Sequence, residues 1–73
     1  MITYKQAKAI ALKANKRVNA CQEYEKGYHF FEKEYDGEGD SGVVVVKETG
    51  RAINWVDFIL DYHPERNPKE IEF

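Results

Sequence analysis

The chain has 73 residues, 42% hydrophobic and 14% aromatic, with a formal net charge of −2. This length leaves room for a single domain, residues 1–73, and the apolar fraction excludes a disordered chain, which lacks the surface needed to offset conformational entropy. Cys21 is the only cysteine, which excludes an intramolecular disulfide, and no Cys/His cluster offers a structural zinc site.

Thr3 and Gln6 form the T-x-x-Q signature of a capping box, with Ile2 and Ala7 placed as a small hydrophobic staple, so a helix is predicted to begin at Tyr4. Ala7, Ile10, Ala11, Ala14 and Val18 recur at the spacing of one apolar stripe, while the lysines occupy the other side. Small residues on the inner face let such a helix lie close against a sheet. Leu12 falls among the lysines, outside the stripe, and reads as a contact residue or an isolated exposed leucine. Lys5, Lys8, Lys13 and Lys16 interrupt every apolar piece of residues 1–16, so neither a signal-peptide core nor a membrane span is present there, and a cytoplasmic location is the default expectation.

Beyond Asn19 the apolar period changes from helical to extended. Residues 21–25, a turn at Lys26-Gly27, and an aromatic strand over residues 28–35 predict a hairpin. Residues 36–42 form an acidic loop with three glycines, followed by Val43, Val44, Val45 and Val46, the strongest strand signal in the chain. Lys47-Glu48-Thr49-Gly50 closes the next hairpin, with Gly50 suited to a left-handed position. Residues 51–54 pair back on the valine strand. Asn54 then caps a short helix carrying Trp55, Phe58, Ile59 and Tyr62, with a strand continuing to Leu60 as the alternative. His63-Pro64 ends that element, and residues 69–73 read as a short edge strand.

The predicted fold class is therefore α+β: an N-terminal amphipathic helix packed on a four-stranded antiparallel meander, with a short C-terminal helical turn or edge strand. One helix covers only one face of such a sheet, yet the aromatic and valine strands are apolar on both. The second face needs cover either from the C-terminal segment with Trp55 and Tyr62 or from another chain.

Charge is segregated along the sequence. Residues 1–17 hold five positive side chains and no acid, and the remainder holds thirteen acids against six bases, a net of −7. A basic helix lying beside an acidic sheet suggests self-complementation, with a binding surface of either sign as the alternative. Asp36, Glu38 and Asp40 take positions 1, 3 and 5 of a calcium-loop pattern, but Ser41 stands where glycine is required and Lys47 where the bidentate glutamate is required. Glu32, Glu34 and Asp36 would share one side of their strand, a solvated acidic face that also protects an edge. His29 is predicted to lie opposite Tyr24 rather than Cys21, which disfavours a Cys-His dyad. No phosphate-loop, dinucleotide, zinc-protease or nucleophile-elbow motif is present, so an enzyme is disfavoured and no cofactor is expected. Nucleic acid is disfavoured as a partner, because phosphate binding needs net positive potential and the predicted sheet and loops are acidic.

The run Gly27-Tyr28-His29-Phe30, the acidic glycine loop, and Val44-Val45-Val46-Lys47-Glu48-Thr49-Gly50-Arg51-Ala52 resembles a group of short uncharacterised bacterial proteins. More distantly it is similar to the YrhB-like immunity proteins of polymorphic toxin systems, which share a leading helix, a G-[YW]-x-F strand and a valine-rich strand ending in K-x-x-G. Their usual proline before the valine strand is absent from Ser41-Gly42-Val43. The resemblance implies a helix-on-meander fold and a toxin-neutralising role, and transfers no catalytic residue. The functional expectation is a small protein-binding module of the immunity or inhibitor type, acting on a protein partner, with a basic one as the natural complement. Its candidate contact residues are Asp36, Glu38, Asp40, Glu32, Glu34, Trp55 and Tyr62. A self-associating structural protein, as a homodimer, is the alternative, and a small ligand binder or enzyme the third reading.

Overall fold

A computed structural model describes residues 1–34 and 42–73. The capping box forms as the sequence requires: Gln6 N–H donates to Thr3 Oγ1 at 3.2 Å, and Thr3 N–H donates to Gln6 Oε1 at 2.9 Å, which starts helix α1 (Tyr4–Ala14). Asn15 ends the helix in an extended conformation, and its side-chain oxygen accepts from the Arg17 N–H at 3.0 Å. The helical stripe is therefore shorter than predicted. Ala14 is exposed, and Val18 is buried from the loop that follows the helix.

Strands β1 (Ala20–Glu23), β2 (Gly27–Phe31), β3 (Val43–Val46), β4 (Ala52–Ile53) and β5 (Lys69–Ile71) make one antiparallel sheet in the order β4-β3-β2-β1-β5. The first four strands are the predicted meander. Between β4 and β5 the chain forms helix α2 (Trp55–Tyr62), crosses the sheet, and lays β5 against the free edge of β1. Residues 55–62 are thus helical, the alternative of a strand continuing to Leu60 does not form, and the edge strand follows as β5. Asn54 caps α2 by accepting the Asp57 N–H at 2.7 Å, and His63 ends it in the left-handed region, φ 48°, immediately before Pro64.

The two helices lie on opposite faces of the sheet. Strand alternation sends Cys21, Tyr28, Phe30, Val43 and Val45 to the α1 side, where they pack with Ala7, Ala11 and Val18. Ala7 and Ala11 are fully buried, so the helix backbone sits close to the strands. Leu12, predicted to stand apart, is half-buried against this cluster together with Ile2, Tyr4, Ile10 and Ile71. Val44 goes to the other side and packs with Phe58 and Tyr24, flanked by Ile53, Trp55 and Tyr62. The valine strand is apolar on both faces because each face has its own helix, and cover for the second face comes from within the chain.

Two local expectations are corrected. The aromatic strand was expected to reach residue 35, but β2 ends at Phe31, and Lys33 and Glu34 stand in a turn. The first hairpin turns at Glu25-Lys26, one residue earlier than predicted, with the Tyr24 N–H donating to the Gly27 carbonyl at 2.8 Å. Gly27 reads as a turn residue in sequence, but its structural role is to let Val44, the Val45 carbonyl and Phe58 approach the β2 backbone. The shift pairs His29 with Gln22 instead of Tyr24. Gly50 does take the left-handed position expected of it, φ 74°, in a turn closed by its N–H donating to the Val46 carbonyl at 2.7 Å.

Candidate functional site

The acidic residues singled out in the sequence do not gather into a site within the described chain. Asp36, Glu38 and Asp40 lie outside the described residues. Glu32 follows the end of β2 and accepts from Asn15 Nδ2 at 3.3 Å, which fastens the end of α1 to the sheet. Glu34 is exposed in the turn. Because β2 stops at Phe31, Glu32 and Glu34 do not share one side of a strand. Among the described residues no ion pair joins the basic helix to the acids of the sheet. The ion pair among the described residues joins Glu23 to Lys47 at 2.6 Å, both on the α1 side of the sheet, with the Lys47 ammonium 4.9 Å from the centre of the Tyr28 ring. Of the basic residues of α1, Lys8 reaches the Phe73 carbonyl at 3.1 Å and lies over that ring, and the others form no ion pair among the described residues.

The nucleophile reading of Cys21 fails on two grounds. Cys21 pairs with Phe30 and His29 with Gln22, so strand alternation places the thiol and the imidazole on opposite faces of the sheet. Burial, with a smaller contribution from the Glu23 carboxylate, also pushes the Cys21 pKa up to about 12, which keeps the thiol protonated and unreactive at neutral pH. Burial likewise raises the Tyr24 and Tyr28 hydroxyls, aided at Tyr24 by Glu65 and at Tyr28 by Glu23. Among the described residues no group of three His, Cys, Asp or Glu side chains is placed to hold a metal ion, and no helix is long and apolar enough to cross a membrane.

Trp55 and Tyr62 turn toward the sheet. Trp55 is stacked on His29 with ring centres 4.4 Å apart and interplanar angle 17°, and it also meets Tyr24 at 5.5 Å. Tyr62 stacks on Phe58 at 5.4 Å. The opposite side of the same helix is apolar as well. Val56 is 56% exposed, Ile59 40% and Leu60 65%, at the i, i+3, i+4 spacing that makes one continuous stripe. The polar residues of α2 are Asp57 and Asp61, both exposed and one turn apart, and the helix carries no basic residue.

A groove of about 460 Å³ opens beside this stripe, lined by Tyr24, Trp55, Ile59, His63, Pro64, Glu65 and Arg66. The Glu25 N–H donates to Glu65 Oε2 at 2.9 Å, which ties the segment after α2 to the first hairpin turn and fixes one wall. The sequence carried a signal for this surface. Six of the eight residues in Trp55–Tyr62 are apolar, more than the single stripe that one buried face of an amphipathic helix requires. The signal is readable only once the segment is known to be helical, because as a strand the same residues would divide differently between two faces. No family model, no curated protein and no solved structure matches this chain.

Proposed function

We propose that this chain is a small protein-binding module that engages its partner through the outer face of α2. The observation that carries the reading is the exposure of Val56 and Leu60, with Ile59 between them, on a helix whose inner face already fills its place against the sheet with a fully buried Phe58. Folding gains nothing from leaving aliphatic side chains in water, so a stripe of this kind is accounted for by a contact made outside the fold. An immunity or inhibitor role is one form of that activity, since covering another protein needs a shaped surface and no reacting group. Asp36, Glu38 and Asp40 are retained as a second candidate contact that adds electrostatic attraction for a basic partner.

Affinity capture from lysate of the source organism tests the reading, comparing the wild-type chain with Leu60→Asp and with the triple change Asp36→Asn, Glu38→Gln, Asp40→Asn. A protein retained by the wild type and lost with Leu60→Asp supports binding through α2. Loss with the triple change alone transfers the contact to the acidic segment. Sedimentation of the purified chain addresses self-association, the competing use of the same stripe: a dimer at micromolar concentration that Leu60→Asp dissociates would replace the proposal.

A further inference from the structure

We infer that the outer face of α2 receives a basic amphipathic helix from the partner protein, an inference that rests on the protein-binding reading and narrows it to one chemical class. The surface has the form of a helix-binding site. Val56, Ile59 and Leu60 offer an aliphatic ridge, and the groove bounded by Ile59, Trp55, Tyr24 and Pro64 runs beside it with room for an apolar side chain. Eight residues make α2 about 12 Å long at 1.5 Å per residue, a length matched by roughly two turns of a partner helix.

Charge selects the sign of the partner. Asp57 and Asp61 lie one turn apart along one side of the ridge, are both exposed, and take part in no ion pair among the described residues. The groove lining adds one acid and one base, Glu65 and Arg66, while α2 itself carries two aspartates and no basic residue. A helix with an apolar stripe bordered by lysine or arginine satisfies both features at once. A second copy of this chain fits poorly, because pairing α2 with α2 brings four like carboxylates to one seam. A polyphosphate chain is repelled by the same charges.

Titration of the isotope-labelled chain with two synthetic peptides tests this, each about 15 residues long so as to hold a helix, with identical leucine faces and either lysine or glutamate flanks. Amide shifts are expected to cluster at residues 55–63, with the lysine peptide bound about tenfold more tightly than the glutamate peptide. That gap should close at about 0.5 M salt, where charges are screened within a few Å, and in the double variant Asp57→Asn, Asp61→Asn. Leu60→Asp should abolish binding of both peptides while leaving the thermal midpoint unchanged. Equal affinity for the two peptides, or shifts centred away from α2, overturns the inference. If neither peptide binds while a partner is still captured in a Leu60-dependent manner, the partner class is wrong and the protein-binding reading stands. If Leu60-dependent capture also fails, both are overturned.

Discussion

Gly27→Ala is the substitution that most directly probes how α2 is seated on the sheet. A methyl group built on Gly27 lies 3.1 Å from Val44 Cγ1, 3.1 Å from the Val45 carbonyl oxygen and 3.2 Å from Phe58 Cε1, against an optimal separation of about 3.5–4.0 Å. Val44 and Phe58 are both fully buried, and the carbonyl belongs to the β2–β3 pairing, so none of the three has free space to retreat into. Overpacking of this kind costs about 1–3 kcal/mol. The opposing gain, from replacing a strand glycine with a residue of lower unfolded-chain entropy, is roughly 0.5–1 kcal/mol. The expected net loss is about 1–2 kcal/mol, which in a domain of this size lowers the melting temperature by roughly 5–15 °C. Urea denaturation followed by tryptophan fluorescence should show a lower midpoint with an unchanged slope, and Phe58→Leu in the Gly27→Ala background should cost less than it does alone, because it removes one of the clashing atoms. A midpoint equal to or above that of the wild type would refute the close seating of Phe58 over β2.

Phe58→Ala should destabilise the domain by about 3–5 kcal/mol, as expected for a fully buried aromatic, while Trp55→Ala, at a half-buried ring, should cost distinctly less; comparison of their urea midpoints tests that order. Cys21 should resist alkylation in the folded chain at mildly alkaline pH and react on denaturation, as mass spectrometry would show. Its pKa rises from 9.0 to about 12 on folding, so the stability it confers is fully present below pH 9 and is lost as pH climbs toward 12; Cys21→Ala should make that alkaline decline shallower, and an unchanged pH profile would contradict the burial of the thiol. Thr3→Ala removes the side-chain acceptor of the capping box and should cost about 1 kcal/mol, measurable as a fall in the urea midpoint.

What the sequence determined by itself was the set of features whose cause is local. The capping box at Thr3 and Gln6, the paired alanines of α1, the four valines, the left-handed Gly50 and the Asn54 cap are decided by backbone chemistry within a few residues, and each was legible without the fold. Only the tertiary structure decided the features whose cause lies across the sheet. Gly27 carries the same local signal whether it turns the chain or admits Phe58, and its neighbours Val44 and Phe58 are 17 and 31 residues away. The hairpin that begins β2 at Gly27 pairs His29 with Gln22 where the sequence predicts Tyr24. The candidate contact surface depends on the same kind of information. Trp55 and Tyr62 were open to two readings in the sequence, cover for the second sheet face or contact with a partner, and the sheet beneath α2 takes them inward and leaves Val56, Ile59 and Leu60 facing water. Which apolar side of α2 is buried is fixed by the surface it meets, and that surface is assembled from strands distant in the chain.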